Sequence, residues 1–143
     1  MQASFPIQFY FADIQFSFPN RTTTKEMVIN LFQQEETEIE HINYIFCTDE
    51  YLLGLNQQYL SHDTLTDIIT FHYHQKGDPV HSDVYISWNR VKDNAVNFKT
   101  TYRRELHRVI FHGALHLCGY KDKTTKDQKL MRQMEEKYLS MFL

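Results

Sequence analysis

Residues Asp67 to Trp88 read DIITFHYHQKGDPVHSDVYISW. Two segments in this stretch, Asp67 to Tyr73 and Asp83 to Trp88, are rich in β-branched and aromatic residues and read as strands. Between them, His74 to Ser82 contains Gly77, Asp78 and Pro79, which is turn chemistry. A parallel pair needs a connection of a dozen or more residues, so this short link predicts an antiparallel pair. The stretch therefore places a hairpin-like unit inside a small sheet.

The flanking sequence supplies the other elements. Toward the N-terminus, Leu52, Leu53 and Leu55 give an apolar side to a short helix, capped by Thr48 or Asp49 and running through Tyr59. Before it, His41 to Cys47 is a strand with Ile42, Tyr44 and Phe46 on one face. Met27, Val28, Leu31 and Phe32 recur at helical spacing, with Thr23 and Glu26 predicting a capping box. The first segment alternates through Phe5, Ile7, Phe9 and Phe11, and Pro6 confines that strand to an edge or to its own first residue. Toward the C-terminus, one long helix is expected from about Asp93 to Cys118, stopped by Gly119. A last helix from Thr124 or Thr125 is expected to bury Leu130, Met131, Met134, Tyr138, Met141 and Phe142. The order β-α-β-α-β-β-α-α means an α+β fold: a single domain with a small mixed four-stranded sheet packed with about four helices.

Composition narrows the class. The 143 residues are 42% hydrophobic and 15% aromatic, which argues for a packed core and against disorder. No apolar run reaches the roughly 18 residues that span a bilayer, and the first basic residue is Arg21, so neither a membrane span nor a secretory leader is expected. The cysteines, Cys47 and Cys118, cannot build a disulfide framework and suit a reducing, cytoplasmic setting. The net charge of −3 hides an asymmetry. Residues 1–89 carry three Lys/Arg against twelve Asp/Glu, whereas residues 90–143 carry twelve against six. The basic half permits a polyanionic partner.

Chemistry concentrates in His112-Gly-Ala-Leu-His116-Leu-Cys-Gly119-Tyr-Lys-Asp122. Leu106, Val109, Ile110, Gly113, Ala114 and Leu117 cluster on one helical face. His112 and His116, four residues apart, stack one turn above the other on an adjacent flank. Gly119 breaks the helix, so the following turn can bring the Asp122 carboxylate back toward them. Two imidazoles and one carboxylate, with a fourth position for water, describe a catalytic rather than a structural zinc site. The zinc-peptidase pattern H-E-x-x-H needs a glutamate where this chain has Gly113, which disfavours peptide hydrolysis. His72 and His74 project from one strand face and suit either a second metal site or a solvated strand end.

These residues resemble the signature of the YbeY family of bacterial endoribonucleases, H-G-x-L-H-L-x-G-Y-D-H, whose three histidines bind zinc. Leu55-Asn56 through Tyr59, then Asp63, Thr66, Asp67 and Phe71, is similar to the family's L-N-x-x-Y…D-x-x-T-D-V-L-S-F block. Ser82 to Ser87 resembles its G-D-I-x-I-S strand, and Arg104-Glu105 matches an R-E pair before the first histidine. The likeness covers residues 40–123. In register, Asp122 replaces the third histidine, and Leu60 stands where the family has an arginine implicated in activity. His62 or a lysine near Lys121 is then expected to take over phosphate contact.

The resemblance implies a zinc-dependent endoribonuclease, one domain over residues 1–143, acting on single-stranded ribosomal RNA in its maturation and in ribosome quality control. Ribosomal RNA and ribosomal subunits are the expected partners, with no DNA and no membrane. His112, His116 and Asp122 are the expected ligands of one zinc ion. Asp67 and Glu105 are acid/base candidates, while Arg104, Arg108, Lys121 and Lys123 are cation candidates, with Arg104, Lys121 and Lys123 expected on RNA. Glu105 lies two helical turns before His112, about 10 Å away, and is better placed to orient a neighbour. The alternative is a ribosome-assembly factor with a structural metal and weak or absent nuclease activity.

Overall fold

The computed structural model describes residues 5–60 and 67–143. The elements are β1 (Ile7–Phe11), α1 (Arg21–Gln34), β2 (Ile39–Cys47), α2 (Asp49–Leu60), β3 (Ile68–His72), β4 (Val80–Ser87), α3 (Trp88–Asn97), α4 (Tyr102–Leu117) and α5 (Thr125–Phe142). The four strands form one mixed sheet in the order β1-β2-β4-β3. β1 and β4 each run parallel to β2, and β3 runs antiparallel to β4, as the short link predicts. β1 is an edge strand, with Pro6 just before it, where a missing N–H costs no ladder bond.

Strand alternation assigns the two faces. Ile42, Tyr44 and Phe46 of β2, Val84 and Ile86 of β4, and Ile7 and Phe9 of β1 are buried on one face. They pack in one cluster with Met27, Val28, Leu31 and Phe32 of α1 and with Leu106, Val109, Ile110, Phe111, Ala114, Leu115 and Leu117 of α4. Burial nearly all round α4 makes it the central helix, and its exposed strip is narrow. Cys47, Leu52 and Ile69 form a smaller cluster under α2, on the other face.

Three expectations need correction. The helix expected from Asp93 to Cys118 is two helices, α3 and α4. α3 ends in a Schellman turn: Lys99 has φ 54°, its N–H donates to Val96 O, and the Thr100 N–H donates to Ala95 O. Thr101 then caps α4, its Oγ1 accepting from the Arg104 N–H at 3.0 Å. An apolar periodicity continues through such a break, because it records burial and not backbone direction. The capping box at Thr23 and Glu26 does not form: the helix begins earlier, after Asn20, and Thr24 is buried against His107. In α5, Leu130 and Met141 are exposed, and Glu135 occupies the buried stripe instead, between Met131 and Tyr138. No helix among the described residues is long and apolar enough to cross a membrane.

Candidate metal centre

α4 carries His112 and His116 on its narrow open flank, and the turn after it completes the group. At the end of α4, Gly119 has φ 106°, its N–H donates to His116 O, and the Tyr120 N–H donates to Leu115 O. A side chain rarely tolerates that backbone, which explains glycine here. The reversal aims the Tyr120 carbonyl back at the helix, where it accepts from His116 Nδ1 at 2.9 Å. Two residues on, Asp122 Oδ2 lies 3.4 Å from His112 Nε2 and 3.3 Å from His116 Nε2. The two Nε2 atoms are 3.1 Å apart.

The hydrogen-bond chemistry identifies what this triangle can hold. Glu135 is a buried carboxylate 2.6 Å from His112 Nδ1, so that nitrogen carries the proton. A carbonyl faces His116 Nδ1, so the same holds there. In the neutral rings both Nε2 atoms are then bare lone pairs, and the third corner is a carboxylate oxygen. Three acceptors converge with no donor between them, an arrangement that a cation satisfies. A tetrahedral ion with bonds of about 2.0–2.1 Å separates its ligand atoms by about 3.4 Å, close to the observed edges. His112, His116 and Asp122 are thus a group capable of binding a metal ion.

Buried charge supports the first histidine. Arg108 donates through Nε and Nη2 to both oxygens of Glu105, at 2.8 and 2.7 Å, and through Nη1 to Glu135 at 3.0 Å. Its Nη2 also lies 4.0 Å from Asp67 Oδ2. Burial alone pushes the Glu135 carboxyl up, but the bonds to His112 and the charge of Arg108 outweigh it and hold the group below the usual range. Burial likewise lowers His112, and the hydrogen bond and charge of Glu135, with Asp67, raise it above its ordinary value despite Arg108. The second histidine has a different prop. Glu35, at the end of α1, accepts from Tyr120 Oη at 2.8 Å and from Tyr138 Oη. This bridge ties the turn that carries the Tyr120 carbonyl to α1 and α5.

A cleft of about 550 Å³ opens over the triad, lined by Asp67, Ile68, Thr70, His72, Gly119, Tyr120 and Lys121 besides His112, His116 and Asp122. Asp67 and Lys121 are therefore brought to the site. Glu105 is 2% exposed and holds Arg108 through both its oxygens, away from the cleft lining. Arg104 is not among the cleft-lining residues: it is paired with Glu136 at 2.9 Å beside a separate cavity between α4 and α5. Lys123 is exposed beyond the cleft lining. His62, Asp63 and Thr66 lie outside the described residues. Sequence reasoning missed Glu135, Glu35 and the Tyr120 carbonyl. Glu135 alone left a signal, a carboxylate at a core position of an amphipathic helix.

A sequence model of the family endoribonuclease YbeY matches residues 9–143. An endoribonuclease YbeY from Flavobacterium psychrophilum is 48% identical over 91% of this chain and 92% of its own length. One from Cytophaga hutchinsonii is 44% identical over 94% of each chain. The solution structure of TM1509 from Thermotoga maritima superposes with a TM-score of 0.64 at 27% identity, covering 94% of this chain and 87% of that one. The fold, the placement of the histidines and the length of the match lead to one assignment: the chain belongs to the endoribonuclease YbeY family.

Proposed function

We propose that this protein is an endoribonuclease that cleaves single-stranded regions of ribosomal RNA during rRNA processing and ribosome quality control in the cytoplasm, using one zinc ion held by His112, His116 and Asp122. Residues 1–143 act as one such domain, with ribosomal RNA and ribosomal subunits as partners. The observation that carries the reading is the meeting of three acceptors at the floor of an open cleft, the two imidazoles each held by a second group, Glu135 behind His112 and the Tyr120 carbonyl behind His116. Family membership supplies the bond cleaved; the relatives bear the name endoribonuclease.

When bound, such an ion supplies Lewis-acid polarisation of a phosphoryl oxygen and makes water a competent nucleophile near neutral pH. The chain's own groups do the rest. Glu135 and the Tyr120 carbonyl lock the tautomers of the two histidines, so that both Nε2 lone pairs face the cleft. Asp67, on the cleft wall and near Arg108, is placed to accept a proton from the attacking oxygen. Lys121 offers its ammonium group from the cleft lining to the phosphate. Two imidazoles and one carboxylate with an open position suit a catalytic zinc, and iron or nickel fits the same donors nearly as well.

The test is elemental analysis of wild-type and Asp122→Ala protein, both folded by circular dichroism, followed by cleavage of a single-stranded RNA. The expected result is about one zinc per chain in the wild type, with metal and cleavage both sharply reduced in the variant. A replacement of histidine by aspartate adds negative charge at the ion and weakens its acidity, which favours the assembly-factor reading if wild-type protein binds metal and RNA without cutting. Metal content indifferent to Asp122 would overturn the site.

A further inference from the structure

β3 forms the wall of the cleft opposite α4. Ile68, Thr70 and His72 point to the α4 side, in register with Ile86, Val84 and Ser82 of β4, and Ile68 lies against Gly113 of α4. Asp67 and His72 thus stand at the two ends of the wall, about 16 Å apart at some 3.3 Å per residue. The three ligand residues face the space between them. Beyond His72 the opening continues: His72 and Gly119 also line an adjoining cavity of about 710 Å³, shared with His74 and Lys76. A chain-like substrate seated over the triad and leaving in this direction passes His72.

The cleft is short of donors for a polyanion. Asp67 and Asp122 are acceptors, the Tyr120 hydroxyl is committed to Glu35, and both metal-site histidines donate away from the cleft. Among the described lining residues, Thr70, His72 and Lys121 keep uncommitted side-chain donors, and His72 is the exposed one on the β3 wall. Its ring is not loose. It packs edge-on against His74, with centroids 5.4 Å apart, and His74 Nδ1 lies against the His81 backbone, 3.0 Å from its O and 3.1 Å from its N.

We infer that His72 is a substrate-contacting residue of this cleft, its ring N–H donating to a phosphate oxygen of the nucleotide next to the cleaved bond. This rests on the ribonuclease reading of the triad. Phosphate contacts of this kind set register and position along a strand, and they leave the reacting atoms to other groups.

The experiment measures binding of a short single-stranded RNA to metal-free protein by fluorescence anisotropy, and cleavage of the same RNA by zinc-loaded protein. His72→Ala should weaken binding and raise KM about fivefold, the effect of one lost hydrogen bond, with kcat and zinc content unchanged. His72→Asn, which keeps a donor, should recover much of the loss, and His72→Phe, which keeps the ring alone, should not. Unchanged binding in His72→Ala, a fall in kcat at constant KM, or recovery by His72→Phe would each overturn the assignment. Wild-type protein that binds RNA without cleaving it overturns the nuclease reading and leaves His72 to be decided by anisotropy. Wild-type protein that neither binds nor cleaves overturns both.

Discussion

Glu135 has two partners that need it ionised: His112 Nδ1 at 2.6 Å and Arg108 Nη1 at 3.0 Å. Removing its charge while keeping its shape weakens both contacts at once. Glu135→Gln should weaken zinc affinity by about 10–100-fold, the usual effect of losing an outer partner of a ligating histidine. Competition with a chromophoric chelator measures this directly, and retained far-UV circular dichroism separates it from unfolding. An affinity within twofold of the wild type would mean that the helix alone orients His112. His107 is a contrasting buried histidine. It lies 2.7 Å from Arg103 O through Nδ1 and 3.0 Å from Thr24 Oγ1 through Nε2, with no carboxylate partner among the described residues. Burial therefore dominates and pulls its titration below the ordinary value, with Arg103 adding to the effect and the bond to the Arg103 carbonyl opposing it.

At the scale of elements, the approach of α4 to the sheet depends on Gly113. A Cβ there would stand 2.8 Å from Ile68 Cδ1 and 3.3 Å from Val84 Cγ1. Gly113→Ala gains about 1 kcal/mol of helix propensity and loses about 1–3 kcal/mol to overpacking. Ile68→Val removes the nearest atom. The double variant should therefore be more stable than the sum of the two single changes predicts, by about 1 kcal/mol in urea unfolding. Strict additivity would show that α4 and β3 separate freely. Because β3 is also the cleft wall, Gly113→Ala alone should change RNA cleavage more than zinc content.

For the whole molecule, pH acts on stability through groups of opposite sign. The unfolded His107 binds a proton below about pH 6.5, whereas the folded one resists it to lower pH. Stability is thus full above about pH 6.5 and falls as pH drops toward the folded value. His112, raised in the metal-free fold, contributes the other way: its stabilisation is present below about pH 6.5 and is lost as pH rises through its folded value. In metal-free protein, His107→Gln should lose less stability between about pH 7.5 and pH 5 than the wild type does, measured by urea midpoints. An identical loss in both would remove His107 as the cause.

Most elements of the fold and the three residues of the candidate metal group were legible in sequence because they rest on local spacing and on a helix-ending glycine. Strand alternation places Ile42, Tyr44 and Phe46 on one face, and a helical repeat of 3.6 puts His112 beside His116. The break at Lys99 escaped that reading, because its left-handed backbone follows from a Schellman turn and not from a glycine or proline. Sequence alone singled out the side chains that come together, and Gly119 marked the turn that returns Asp122. Only the tertiary structure decided what makes them a site. Glu35 reaches Tyr120 across 85 residues of chain and Glu135 reaches His112 across 23. Such partners are selected by packing of α1 and α5 around α4, where a buried carboxylate is stable only beside its donors.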